Sequence, residues 1–344
     1  MGVFDQIIQG MAKGEATDLH LSSGVPPTIR TQGRMVPLTS DPVSSDNLNQ
    51  FLYEIMSPTQ RERYERDWQV EFSVDRPDMP RFRINAFRQS HGPSAVLRML
   101  KTGTFSFQEL GFPKSMEKLL NRDRGLIMIT GPVGSGRSTT AASMIDYINT
   151  QQHKVIHTLE SPIEHLHKNK ASIVRQHEVP TDYPTFQEGF QDILSTDPDV
   201  VFVGDMNDRQ TLTLAINASL TGRVILGTMR SETASKAVWK MVRIFPEDQQ
   251  LKIRSLLAEA LIAVVAQDLL PKADGDGRMV VHEILINNNL TSKIIRENRL
   301  HQLPAVTRTQ SHVGMTNMEK TVKKLVRDNL ITPRVAVKKL LSLR

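Results

Sequence analysis

Residues 131–139 read GPVGSGRST and directly follow the apolar run Gly125-Leu126-Ile127-Met128-Ile129-Thr130. The spacing is that of a phosphate-binding loop, G-x-x-x-x-G-K-[ST], with Arg137 at the lysine position. Glycines in such a loop let backbone N–H groups close on phosphate oxygens, and the helix that follows turns its positive end toward them. Gly131, Pro132, Val133, Gly134, Ser135, Gly136, Arg137, Ser138 and Thr139 are therefore the candidate nucleotide-binding set, with the Ser138 hydroxyl as a ligand for Mg²⁺. Arginine keeps the charge of lysine but replaces a compact ammonium with a larger planar fork. Binding is expected to tolerate that change better than the positioning on which phosphoryl transfer depends. A second acidic element is Asp199-Val200-Val201-Phe202-Val203-Gly204-Asp205. A run of four hydrophobics leading to Asp205 suits a carboxylate at the C-terminal end of a strand, where it orients Mg²⁺ or water.

These groups need a frame of strands and helices. Beyond residue 113 strands alternate with helices: Leu126–Thr130, helix 137–149, Val155–Leu159, helix 185–195, Val200–Val203, helix 209–219 and Val224–Thr228. That order predicts a parallel sheet with crossover helices. From about 247 onward the chain reads as mainly helical, interrupted by the Asp274-Gly275-Asp276-Gly277 turn and the strand Met279–Ile286. The first ~100 residues read as a small α+β unit. It opens with a helical face of Val3, Phe4, Ile7, Ile8 and Met11, followed by a short strand Leu19–Leu21 and the Pro26-Pro27 turn. A hairpin brackets Gln32-Gly33, and helices are expected over 45–56 and 58–67, the second capped by Ser57 before Pro58. Strands Arg81–Phe87 and Ala95–Leu100 complete it, with Phe82, Ile84 and Ala86 facing inward. The domain division expected is 1–101, a linker over 102–113, and 114–344.

Bulk properties narrow the class. The chain has 344 residues, 39% hydrophobic and 23% charged, and no apolar stretch near the ~18–20 residues that span a bilayer. The N-terminal segment lacks the order of a signal peptide, and no Ser or Thr at position 6 supports myristoylation. The absence of cysteine excludes disulfides, thiolate catalysis and cysteine-zinc sites. A net charge of +6 spread along the chain reads as solvated surface, and without an aromatic-basic stacking platform no nucleic-acid partner is expected. His153, His157, His165 and His167 straddle two strands and a turn and read as exposed surface, not a metal site. Ile331–Leu341 sets Val335, Val337, Leu340 and Leu341 against Lys338 and Lys339, the pattern of an amphipathic helix.

Ordered segments through nearly the whole chain resemble the type IV pilus retraction ATPases, the PilT/PilU-like branch of the secretion-ATPase superfamily. They include Asp18–Pro27, Arg81–Phe87, Thr158–Glu164, Asp197–Met206, Gly227–Arg230, Phe245-Pro246-Glu247, Gln267–Pro271, Asp274–Arg278 and Gly314-Met315. The resemblance implies an α/β protein with a PAS-like α+β N-terminal domain, followed by a RecA-like P-loop ATPase domain with a helical C-terminal region. It further implies ATP and Mg²⁺ as ligands and a hexameric ring, either homomeric or mixed with a paralogous pilus ATPase. An inner-membrane pilus platform protein would be the partner, and the ring would sit in the cytoplasm at the inner face of that membrane. Glu160, Asp205 and Arg230 would be the catalytic set, with Arg83 and Arg98 directed at bound nucleotide.

Departures from the family pattern fall on the chemistry. Arg137 replaces lysine, Ser161 replaces an aspartate, Asp205 replaces the glutamate used as base, and Arg230 replaces a histidine. Gln191, Ser195 and Lys240 stand where the family has arginines. Aspartate is one methylene shorter than glutamate, and arginine cannot act as a switchable imidazole. Arginine fingers are worth roughly 10³–10⁵ in rate, so slow hydrolysis is expected. A helix linked to retraction persists in part as Leu290–Glu297. Two readings follow: a pilus motor with weak hydrolysis, or a non-catalytic subunit that assembles with and regulates an active paralogue.

Overall fold

A computed structural model describes Ala16 and residues 18–31, 34–76, 79–99, 103–275 and 277–343. The expected helix over Val3–Met11 and the turn at Gln32-Gly33 lie outside the described residues. The chain divides into two compact units, Met1–Gly103 with Glu164–Leu166, and Thr104–Ile163 with His167–Arg344.

In the first unit, alternating apolar residues build a six-stranded antiparallel sheet in the order β3-β2-β1-β6-β5-β4. The strands are β1 (Asp18–Ser22), β2 (Thr28–Thr31), β3 (Arg34–Pro37), β4 (Gln69–Arg76), β5 (Met79–Gln89) and β6 (Gly92–Met99). Phe82, Ile84 and Ala86 are buried on β5, as their period of two requires. They pack with Leu48, Phe51 and Leu52 of helix α1 (Ser45–Ile55) and Tyr64 of α2 (Pro58–Asp67). Helix α2 starts where Ser57 and Gln60 form a reciprocal capping box ahead of Pro58.

The second unit is a seven-stranded sheet in the order β13-β12-β7-β11-β10-β8-β9. Its strands are β7 (Gly125–Thr130), β8 (Val155–Glu160), β9 (Ile173–Glu178), β10 (Val200–Val203), β11 (Val224–Met229), β12 (Leu261–Pro271) and β13 (Arg278–Ile286). All neighbours pair in parallel except β12 with β13. Helices α3 (Ser115–Leu120), α4 (Arg137–Gln151), α5 (Phe186–Ile193), α6 (Arg209–Leu220), α7 (Ala234–Arg243) and α8 (Glu247–Ala260) accompany the sheet. Burial on both faces explains why β7, β10 and β11 are continuous apolar runs, each buried throughout. Leu110 and Phe112 already belong to this core.

Beyond 247 helices predominate as expected, together with the expected strand β13 and one strand the sequence reading did not contain, β12. Leu261-Ile262-Ala263-Val264-Val265-Ala266 is buried at every position and pairs with β7 on one side and β13 on the other. An unbroken apolar run carries no period, so helix and buried strand look alike in sequence. Helices α9 (Asn289–Arg296), α10 (Leu303–Thr309), α11 (Met318–Arg327) and α12 (Pro333–Ser342) complete the described residues of this unit. No helix among the described residues is long and apolar enough to cross a membrane.

Candidate nucleotide site

Strand β7 delivers the glycine loop at the C-terminal edge of the sheet, and α4 leaves it. Gly134 (φ 77°) and Gly136 (φ 86°) take left-handed conformations that side chains disfavour. Gly131 is held by space instead: a Cβ there would lie 2.3 Å from Ser135 Oγ and 2.4 Å from the Gln267 carbonyl oxygen. Gly136 is also the N-cap of α4, and no side chain caps that helix. Its first-turn N–H groups are thus left to whatever occupies the loop. Ser135 is 1% exposed, and its hydroxyl has no hydrogen-bond partner. An orphaned hydroxyl, an uncapped helix end and glycines that admit a close approach together fit a phosphate group. Arg137, Ser138 and Thr139 open α4 and are half-buried, while Val133 is 76% exposed.

The parallel register sets the other predicted groups along the same edge. Val203 pairs with Leu159 and with Gly227, and Met229 pairs with Thr130. Glu160 and Asp205 therefore lie at adjacent strand ends, with β11 between Asp205's strand and the loop strand. The Gly204 N–H donates to the Leu159 carbonyl at 2.8 Å, and Thr228 Oγ1 donates to the Gly204 carbonyl at 2.5 Å. Glu160 is 8% exposed and accepts from Thr158 Oγ1 at 2.7 Å and Gln176 Nε2 at 3.2 Å. Asp205 accepts from Asn207 Nδ2. Lys240 Nζ then donates to Asn207 Oδ1 at 2.6 Å and to the Arg230 carbonyl at 3.1 Å. One carboxylate oxygen of Asp205 is thus engaged through a side-chain amide that a lysine anchors in turn. The Arg230 side chain is exposed.

Gln191 is exposed on α5, and Ser195 lies past its end, donating to the Asp192 carbonyl at 2.6 Å. Ser161 is exposed beyond β8. In the first unit Arg83 and Arg98 stand opposite each other across β5 and β6. Arg98 Nε meets Asp18 Oδ1 at 2.7 Å, with Asp18 buried, and Arg83 pairs with Glu71.

Two surface expectations are corrected. His157 is 2% exposed, and its ring stacks on His177 at 5.4 Å and 9°. Burial, then the His177 and Arg175 charges, lower its pKa to about 4. Its ring is covered by His177 and by Thr196, whose Oγ1 lies 3.3 Å from its Nε2; His165 and His167 are half-buried, and only His153 is exposed. No group of acidic residues and histidines suited to a metal occurs among the described residues. On α12, Lys339 is 5% exposed and its Nζ meets Asp268 Oδ2 at 2.7 Å, whereas Val337 and Leu341 face outward. Charge pairing with β12 outweighs the apolar pattern there.

Sequence reading alone gave no role to Gln267, Asn207 or His177. Their signal is tertiary: each acts through a partner many residues away or through a neighbour whose side chain only the fold orients.

The chain matches the family model described as type II/IV secretion system protein over residues 2–333. It is 36% identical over 327 residues to the type IV pilus retraction ATPase PilT of Pseudomonas aeruginosa, covering 95% of each chain. A twitching motility protein of Neisseria gonorrhoeae is 39% identical over 310 residues, covering 90% of this chain and 83% of the relative. Among solved structures, the pilus retraction motor PilT with bound ADP superposes with a TM-score of 0.91 at 38% identity, covering 98% of this chain and 97% of that one.

Proposed function

The chain belongs to the type II/IV secretion system protein family, in its pilus-retraction-motor branch, and from that premise we propose that it is a ring-forming pilus motor subunit that binds Mg-ATP through residues 131–139 and hydrolyses it slowly. The observation that carries the reading is the phosphate cradle itself. Gly131 is free of the Cβ that would strike Ser135 and Gln267, and the buried Ser135 hydroxyl awaits a partner. A solved relative at 38% identity holds ADP. In the reading proposed, the loop N–H groups and Arg137 hold phosphate oxygens, Ser138 holds Mg²⁺, and Glu160 and Asp205 order water. Arg230 supplies a fixed cation; Arg83 and Arg98, which the family resemblance directs at nucleotide, are paired here with Glu71 and Asp18. When bound, Mg-ATP supplies the phosphoryl bond to be cleaved and the metal charge that stabilises the leaving phosphate.

Slow hydrolysis follows from the residues at the strand ends. Asp205 is shorter than the family glutamate and is already tethered by Asn207, which Lys240 holds. A base must lie within hydrogen-bond reach of its water, and a shorter carboxylate with one oxygen already engaged serves that role less well. The same observation favours a second reading, a nucleotide-binding subunit that hydrolyses nothing and regulates an active paralogue in a mixed hexamer. In either case the partners proposed are a pilus platform protein and other motor subunits at the cytoplasmic face of the inner membrane.

ATP turnover separates the two. We expect slow turnover in the unmodified protein, and a rise when Arg137→Lys, Asp205→Glu and Arg230→His are combined. Undetectable turnover with retained Mg-ATP binding selects the regulatory subunit, and turnover equal to an active motor contradicts both the slow-motor and regulatory readings.

A further inference from the structure

Gln267 sits on β12 beside the glycine loop, 1% exposed, and uses both ends of its amide on it. Nε2 donates to the Ser135 carbonyl at 2.8 Å, and Oε1 accepts from Thr140 Oγ1 at 2.8 Å. Ser135 belongs to the loop and Thr140 to the first turn of α4, so one side chain clamps the loop to the helix that closes it. Its backbone carbonyl fills the space a Gly131 Cβ would need, at 2.4 Å. Thus the residue meets the loop at its start, middle and end.

Its neighbour is fixed from the other direction. Asp268 accepts from the Leu269 N–H at 2.8 Å and from Lys339 Nζ at 2.7 Å. Lys339 comes from α12 in the chain's last turns of helix and is 5% exposed. A lysine is buried only when its charge is compensated, so the α12 contact depends on that pair.

We propose that Gln267 is a positioning residue that sets the shape of the nucleotide loop, and that the Lys339–Asp268 pair makes the C-terminal helix α12 part of the same brace. The inference rests on the reading that residues 131–139 bind nucleotide and gives that site a control point about 130 residues downstream. The amide must donate and accept at once, which glutamate, methionine or leucine cannot do in its place.

Calorimetric titration of the full chain with Mg-ADP, with thermal melting in parallel, tests this. Gln267→Met keeps the side-chain length and removes both bonds; its affinity should fall about tenfold, the effect of two buried hydrogen bonds. Thr140→Ser keeps the hydroxyl and should bind as the unmodified chain does, whereas Thr140→Val should bind about fivefold more weakly. Lys339→Met should weaken binding a few-fold, and adding Asp268→Asn should restore it by removing the unpaired carboxylate. The Thr140 pair decides the matter if Gln267→Met does not fold. Unaltered affinity in Gln267→Met and Thr140→Val overturns the brace alone. Melting points that fall in Lys339→Met with no change in affinity overturn the role of α12. Failure of the unmodified chain to bind Mg-ADP overturns the nucleotide reading itself, and the brace with it.

Discussion

Single residues decide whether the loop can accept a phosphate. Gly131→Ala would place a methyl group 2.3 Å from Ser135 Oγ and 2.4 Å from a backbone carbonyl. The carbonyl belongs to a central strand and cannot move, so the loop must deform. We expect nucleotide binding to be lost in this variant with the fold retained, as read by titration and circular dichroism. Two histidines make a separate prediction. Burial holds His282, packed on Phe112 at 4.9 Å, at a pKa of about 4, and His157 is lowered to about 4 by burial and its charged neighbours. The unfolded chain takes up these protons near pH 6.5 while the folded chain does not. Their stabilising contribution is therefore complete above pH 6.5 and is lost as the pH falls toward 4. Urea unfolding at stepped pH should show this slope, and His282→Leu should reduce it, since its Nδ1 has no hydrogen bond to lose.

Elements meet at Glu283 on β13. Its buried carboxylate accepts from the Ala234 N–H at 3.1 Å and from the Met318 N–H, the first residues of α7 and α11. One side chain thus satisfies donors at two helix starts. Burial raises its pKa, while the two N–H groups and the Lys339 charge act against that rise. Glu283→Gln should be near neutral, whereas Glu283→Leu should cost about 2–4 kcal/mol by stranding both donors; chemical denaturation measures both.

How far the elements could be read in advance depended on their period. Strand β5 alternates and β7 follows the loop motif, so both were legible, as was α2 from Ser57 and Pro58. Strand β4 carries the same alternation through Val70, Phe72 and Val74, whereas β9 (IVRQHE) has few apolar residues and the β12 run has no period at all. The glycine loop and Asp205 were visible because their chemistry is local. The links of Gln267 to Thr140 and of Lys339 to Asp268 span 127 and 71 residues, and no local pattern encodes them.

At the scale of the whole molecule, the function proposed combines a glycine loop shaped for phosphate with a strand-end set expected to hydrolyse slowly. Arg137, Ser161, Asp205, Arg230, Gln191 and Ser195 are the positions where the family resemblance implies other residues, and the parallel register sets Glu160, Asp205 and Arg230 along the edge that carries the loop. In the regulatory reading proposed, such a subunit would bind nucleotide beside an active neighbour. Mixing it with an active paralogous motor should yield mixed rings, seen by native mass spectrometry, whose turnover per active subunit differs from that of the paralogue alone.

Measuring Mg-ATP binding and ATP turnover on the same preparation tests the central claim most directly. The account predicts saturable binding near one nucleotide per chain, with turnover far below that of an active pilus motor. Absence of binding, or turnover at the level of an active motor, would contradict it.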